Sequence, residues 1–251
     1  MIQAERQERI LDLVARQGAI GITELAELLH ASPATIRRDL TELERKQALQ
    51  RTHGGARLPD RDDELTYAAK ITSLLAEKRR IGAAAAALLA PGQVVGCGGG
   101  TTVMQMIRAL KHKTLSIVTT AVNVAAELAT AEHIDVLVTG GQLRGRSCET
   151  VGHVAARTLR DVNLDLAIIG VDGLCLKGGL TTYNRAEAYV NRVLIERARE
   201  TWILADHSKF GLVRPAVIAP LSAAHRVFTD TAAPQAALTA LRRVRIKVTL
   251  A

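Results

Sequence analysis

Apolar and polar positions change period along this chain, and the changes divide it in two. Between Thr23 and Leu43 the apolar residues recur at helical spacing. Leu25, Leu28 and Leu29 sit at i, i+3 and i+4, and Ile36, Leu40 and Leu43 at i, i+4 and i+7. The pattern predicts two short helices, each burying one face. Thr23 is placed to N-cap the first, with Glu24 in its first turn, where a carboxylate meets the positive end of a helix. His30 and Ala31 fill the turn. Ser32 offers a capping hydroxyl to the second helix, and Pro33 at its first position loses nothing by lacking an N–H. Ala48 to Leu58 reads as a hairpin: Leu49 and Arg51 alternate, His53-Gly54-Gly55 turns the chain, and Arg57 returns on the second arm.

After Pro59 the run Asp60-Arg61-Asp62-Asp63-Glu64 is a charged break, and one long helical stretch from Glu64 to Ala90 is expected to follow. From Gln93 onward short apolar runs alternate with helical ones. Gln93–Cys97, Leu115–Thr119, Ile134–Thr139, Leu164–Gly170, Trp202–Asp206 and Arg226–Thr229 are the expected strands. Val122–Thr130, Val151–Arg160, Ala186–Arg199 and Pro234–Arg243 are the expected helices. That alternation predicts an α/β fold with a mainly parallel sheet. The expected layout is a winged helix-turn-helix over residues 1–58, a linker and connecting helix over 59–90, and an α/β effector domain over 91–251.

The 251 residues give room for two domains, and 2% aromatic content requires an aliphatic core. Cys97, Cys148 and Cys175 are odd in number and widely spaced, which fits neither a disulfide framework nor a zinc site and suits a reducing cytoplasm. The seven histidines show no paired metal spacing, and no metal or other cofactor is expected. The longest apolar run, Ile81 to Ala90, is too short to span a bilayer, so no membrane partner is expected. The net charge of +8 is uninformative about DNA, because residues 1–58 hold nine Lys/Arg against eight Asp/Glu. A nucleic-acid reading must rest on where individual arginines lie.

Arg38 lies two residues beyond Ile36, about 200° around a wheel of ~100° per residue, so it faces outward. Thr35, Arg37, Thr41 and Arg45 flank that face, beside the capping Ser32. Such a helix can read base edges and clamp phosphates of double-stranded DNA, with Arg51, His53 and Arg57 of the wing on the backbone or minor groove. An ordinary amphipathic helix with a solvated basic face is the alternative; the capped turn, preceding helix and following hairpin, all in order, favour DNA.

In open α/β sheets ligands gather at the carboxyl ends of strands. Gly98-Gly99-Gly100-Thr101-Thr102 follows the first expected strand and opens a helix, where amides and hydroxyls can cradle a phosphate. Thr119-Thr120, Gly140-Gly141, Asp172-Gly173 with Lys177 beyond, and Asp206 to Lys209 end later strands. Each alone is ordinary turn chemistry. Together they suggest an anion pocket in which Lys209 supplies a cation and Asp172 or Glu187 binds sugar hydroxyls.

Residues 5–56 resemble the N-terminal domain of DeoR-type bacterial transcription regulators, through Glu24 to Leu29, Ser32, Thr35 to Leu40, Leu43-Glu44 and His53 to Ala56. The rest is similar to the effector domain of that family, through Glu77-Lys78, Gly100-Thr101-Thr102, Gly140-Gly141, Gly152 and Asp206-Ser208-Lys209-Phe210-Gly211. The resemblance implies a fold related to ribose-5-phosphate isomerase and a sensor for a phosphorylated sugar or related metabolite. Two positions depart from the family pattern. Gly98 stands where an acid is usual, two residues before the Gly100-Thr101-Thr102 glycine, and Thr119-Thr120 stands where Thr-Asn is common. The expectation is a ligand-responsive cytoplasmic repressor of carbohydrate genes, acting on a DNA operator as a homodimer or homotetramer. A sugar-phosphate isomerase with a DNA-binding appendage, and a constitutive DNA binder without ligand, are the competing readings.

Overall fold

The computed structural model describes residues 2–45, 48–57, 64–110 and 113–251. The chain forms two compact units, Met1–Leu75 and Ala76–Ala251. The first contains α1 (Gln3–Gln17), β1 (Ala19–Gly21), α2 (Ile22–Leu28), α3 (Pro33–Arg45), β2 (Gln50–Thr52), β3 (Gly55–Arg57) and α4 (Tyr67–Thr72). Ile10 and Val14 of α1 meet Leu25, Ile36, Leu40 and Leu49 in one buried cluster. The wing strands gain a third partner in β1, giving an antiparallel sheet of order β1-β3-β2. Gly55 belongs to β3 rather than to the turn, because a Cβ there would lie 2.1 Å from the Ile20 carbonyl oxygen.

Three local expectations need correction. Gly21, not Thr23, is the N-cap of α2, and the Ile22 amide there donates to the Gly54 carbonyl at 2.8 Å. Leu28 is 49% exposed, and Ala26 takes the inward place beside Leu25 and Leu29. The stretch Glu64–Ala90 is not one helix: α4 ends at Thr72, Leu74 has φ 53°, and α5 (Leu75–Leu88) starts afresh. A left-handed leucine cannot continue a helix. The two halves also serve different cores, Ala69 the first unit and Ile81, Ala85 and Ala86 the second. Residues 60–63 of the charged break and Leu58 at the end of the hairpin lie outside the described residues.

The second unit continues with β4 (Val94–Cys97), α6 (Thr101–Arg108), β5 (Leu115–Thr119), α7 (Val122–Leu128), β6 (Ile134–Val138), β7 (Gln142–Arg144), β8 (Glu149–Val151) and α8 (His153–Arg160). Then come β9 (Leu164–Gly170), β10 (Gly173–Cys175), β11 (Gly179–Thr182), α9 (Arg185–Arg197), β12 (Ala198–Leu204), β13 (Ala216–Ala219), β14 (Arg226–Thr229), α10 (Gln235–Arg243) and β15 (Lys247–Leu250). Seven strands form a parallel sheet of order β15-β14-β12-β9-β4-β5-β6. Side chains alternate across it. Leu166, Ile168, Trp202 and Leu204 join α5, α6 and α7 in one core, while Ala167, Ile169 and Ile203 join α8, α9 and α10 in the other.

Expected boundaries move where small antiparallel strands intervene. The helix expected from Val151 begins at His153 because Glu149–Val151 pairs with Gln142–Arg144. The strand expected over Trp202–Asp206 runs over Ala198–Leu204, leaving Asp206 to cap a 3₁₀ turn at His207–Lys209. β10, β11 and β13 form a separate antiparallel sheet. Chain order reverses between β4 and β9, whose loops Gly98–Thr102 and Val171–Gly173 leave the same end of the sheet. That is the switch point where a ligand crevice belongs in this architecture.

Candidate functional site

The outward face of α3 is built by its own cap and by the wing. Ser32 Oγ accepts from the Thr35 amide at 3.1 Å and lies 2.9 Å from Thr35 Oγ1, so both residues fix the start of the helix. Arg37, Arg38, Thr41 and Arg45 surround a shallow surface depression together with Glu42. All four are exposed, and among the described residues the three arginines make no ion pair. Arg51 of β2 donates through Nη1 to Thr41 Oγ1 at 3.1 Å, while its amide donates to Glu44 at 3.1 Å. The wing is thereby tied to the helix, with His53 exposed at its turn and Arg57 half-buried on β3.

Asp39 was missed as a structural partner of this face. It is 1% exposed, and Arg6 of α1 grips it through Nε at 2.5 Å and Nη2 at 3.3 Å. Gln7 reaches Glu42 at 3.0 Å. The signal was present in sequence, since Asp39 falls at i+3 from Ile36 on an otherwise apolar stripe. An acid there demands a cation, and this pairing orients the arginine-bearing helix on α1.

At the switch point the three glycines do different work. A Cβ on Gly98 would lie 2.6 Å from Asn191 Oδ1, and a Cβ on Gly99 would lie 2.6 Å from Glu149 Cγ. The first two glycines therefore seat protein side chains rather than a ligand. Gly100 has φ 117° and nothing closer to a Cβ than Gly170 Cα at 3.8 Å, so room remains over it at the start of α6. Thr101 and Thr102 begin that helix and are buried.

Glu149 Oε1 accepts from the Gly99 amide at 2.6 Å and from Thr120 Oγ1 at 2.8 Å. Burial, and then the charge of Glu187, push its carboxyl up to about 7 against those two hydrogen bonds. Glu187 holds Arg144 at 2.7 Å, and Thr182 Oγ1 donates to Asp172 at 2.9 Å and stands 3.4 Å from Glu187. Arg144 and Glu149 face each other in the β7–β8 register, so one hairpin delivers both to the crevice. On the next strand end, burial alone would raise the Asp206 carboxyl, but Lys209, Lys78 and the Ser208 hydrogen bonds hold it below its usual range. Lys78 of α5 is only 3% exposed.

The other residues expected in the pocket have local duties. Thr119 Oγ1 donates to the Cys97 carbonyl and accepts from the Ala121 amide, both at 3.0 Å. Gly140 and Gly141 are exposed, and Gly141 allows its backbone to pass 2.7 Å, measured from a notional Cβ, from the Val151 carbonyl. A Cβ on Gly173 would lie 2.5 Å from the Leu212 carbonyl. Lys177 is exposed in the turn between β10 and β11. Sequence reasoning left out Glu149, Arg144, Asn191 and Lys78. Only Lys78 carried a signal, in its Glu77-Lys78 match to the family pattern.

Residues 6–62 match the DeoR-like helix-turn-helix domain, and residues 74–231 match the DeoR C terminal sensor domain. The chain belongs to the DeoR family. This DeoR-family chain is 32% identical to the glycerol-3-phosphate regulon repressor of Escherichia coli over 251 residues, covering 100% of both. It is 32% identical to the HTH-type transcriptional repressor GlcR of Bacillus subtilis, covering 94% of this chain and 92% of that one. Among solved structures, ribose 5-phosphate isomerase A of Methanocaldococcus jannaschii is similar at 20% identity, with 53% of each chain covered and a TM-score of 0.40. Among the described residues no helix is long and apolar enough to cross a membrane.

Proposed function

We propose that this DeoR-family regulator is a cytoplasmic repressor of carbohydrate-metabolism genes. It binds a double-stranded operator through α3 and the wing, and a phosphorylated sugar or related metabolite at the switch point sets its operator affinity. The DNA half rests on the arginines of α3, displayed outward from a capped helix whose inward acid is held by Arg6. The sensor half rests on one juxtaposition. Gly100, Thr101 and Thr102 open α6 at the end of β4, and Lys78 and Lys209 share the charge of Asp206. A regulon repressor aligned over its whole length supports repression over the isomerase reading.

A ligand shifts the operator equilibrium only by its different affinity for the two states of the regulator. A two-fold operator also calls for at least two copies, and a dimer or tetramer is part of the proposal. Lys209→Ala tests the sensor half. The variant is expected to bind operator normally and to lose its response to the sugar phosphate that shifts the wild type. One charge-assisted hydrogen bond contributes ~1.5–3 kcal/mol, so ligand affinity should fall about tenfold or more. Calorimetric titration of the same ligand into both proteins measures it, and equal affinities would move the anion site elsewhere.

A further inference from the structure

The wall opposite Lys78 and Lys209 in the proposed effector pocket is made of acceptors. Glu149 takes the seat that Gly98 and Gly99 leave open, in a family where an acid is usual at position 98 itself. The acid is thus delivered by the β7–β8 hairpin instead of by the strand end. Beside it stands Asn191 of α9, 7% exposed, with its Oδ1 buried and without a hydrogen-bond partner among the described residues. Both Asn191 Oδ1 and Glu149 Oε1 converge on Gly98, at 2.6 Å and 3.5 Å from its notional Cβ. A buried acceptor without a donor is costly, and a ligand that brings an O–H removes the cost.

The same wall is hostile to anions. Glu187 and Asp172 share the Thr182 hydroxyl next to Glu149, and Arg144 of the hairpin is already engaged by Glu187. A ligand carboxylate brought here would face three carboxyl groups at short range in a partly desolvated crevice, where repulsion is poorly screened.

We infer that the non-phosphate end of the effector carries hydroxyl groups and no carboxylate, and that Glu149 and Asn191 are the acceptors that read it. This rests on the sugar-phosphate reading of the same pocket. It narrows that reading to neutral polyol phosphates and excludes phosphorylated sugar acids.

The test uses the full chain at about pH 8 and matched probes differing in one oxidation step. Glycerol 3-phosphate is compared with 3-phosphoglycerate, and glucose 6-phosphate with 6-phosphogluconate, with inorganic phosphate as the reference. The better-bound pair should favour its neutral member by about tenfold or more. Glu149→Gln should weaken that neutral member by a similar factor, narrow the gap to the acid, and leave inorganic phosphate unchanged. Asn191→Leu should weaken the polyol phosphate in the same selective way. If the acid binds as well as its neutral partner, or if Glu149→Gln weakens inorganic phosphate as much as the polyol phosphate, the inference is overturned while the phosphate site stands. If the wild type binds no phosphate compound, the sensor reading falls first and takes the inference with it.

Discussion

Arg37→Ala combined with Arg38→Ala is expected to abolish specific operator binding without unfolding the protein. Both side chains are exposed on α3, and neither makes an ion pair among the described residues, so truncation leaves no buried charge behind. Lost to DNA, however, are two guanidinium groups. A bidentate base contact contributes ~1–3 kcal/mol of discrimination, and a lost phosphate contact weakens all sequences and lowers the salt slope by about one. The pair together should cost roughly a hundredfold or more in affinity, with an unchanged circular dichroism spectrum and melting curve. Fluorescence anisotropy against an operator selected from random duplexes, repeated over a salt series, separates base readers from phosphate clamps. Asp39→Ala supplies the contrast: it strips Arg6 of its buried partner and should lower stability and DNA affinity together. Unchanged operator affinity in the double variant would remove α3 from the interface.

The DNA-binding half was legible because its signals are local. A Ser-Pro cap and apolar spacings of three and four specify a helix within a single turn of chain, and Ser32, Ile36, Leu40 and Leu43 occupy the expected places. Leu28 was misassigned because which of two adjacent apolar residues faces inward is decided by the partner surface, here α1 and α3, and not by spacing. The supposed long helix failed at Leu74, since no propensity marks a leucine held at positive φ. Strands of three residues are too short to show a period, so the β7–β8 and β10–β11 hairpins were invisible. That loss mattered most at the effector pocket. Its glycine-rich loop was recognisable, but two of its glycines make room for residues about 50 and 90 positions further on, and only folding brings Glu149 and Asn191 there.

Glu149→Gln should make the second unit more stable above neutral pH and change little in acid. Two effects compete at this side chain. The Gly99 amide and Thr120 hydroxyl favour the charged form, while burial and the nearby charge of Glu187 disfavour it; burial wins, and the carboxyl sits at about 7. Its ordinary value is 4.5. Across the window between those values the folded chain holds a proton that the unfolded chain has released, so stability falls as pH rises from about 4.5 to about 7 and then levels. Glutamine keeps an oxygen to accept from Gly99 and Thr120 but cannot ionise, which removes the slope. At one pKa unit per ~1.4 kcal/mol, the variant should gain about 2–3 kcal/mol over wild type above pH 7, less whatever part of the proton shift Glu187 takes up. Calorimetric melting of both proteins from about pH 5 to pH 8.5, following the transition of the larger unit, reads the difference. A wild type that gains stability relative to the variant as pH rises would mean that the two hydrogen bonds outweigh burial, and that Glu149 is an ordinary charged carboxylate in its seat.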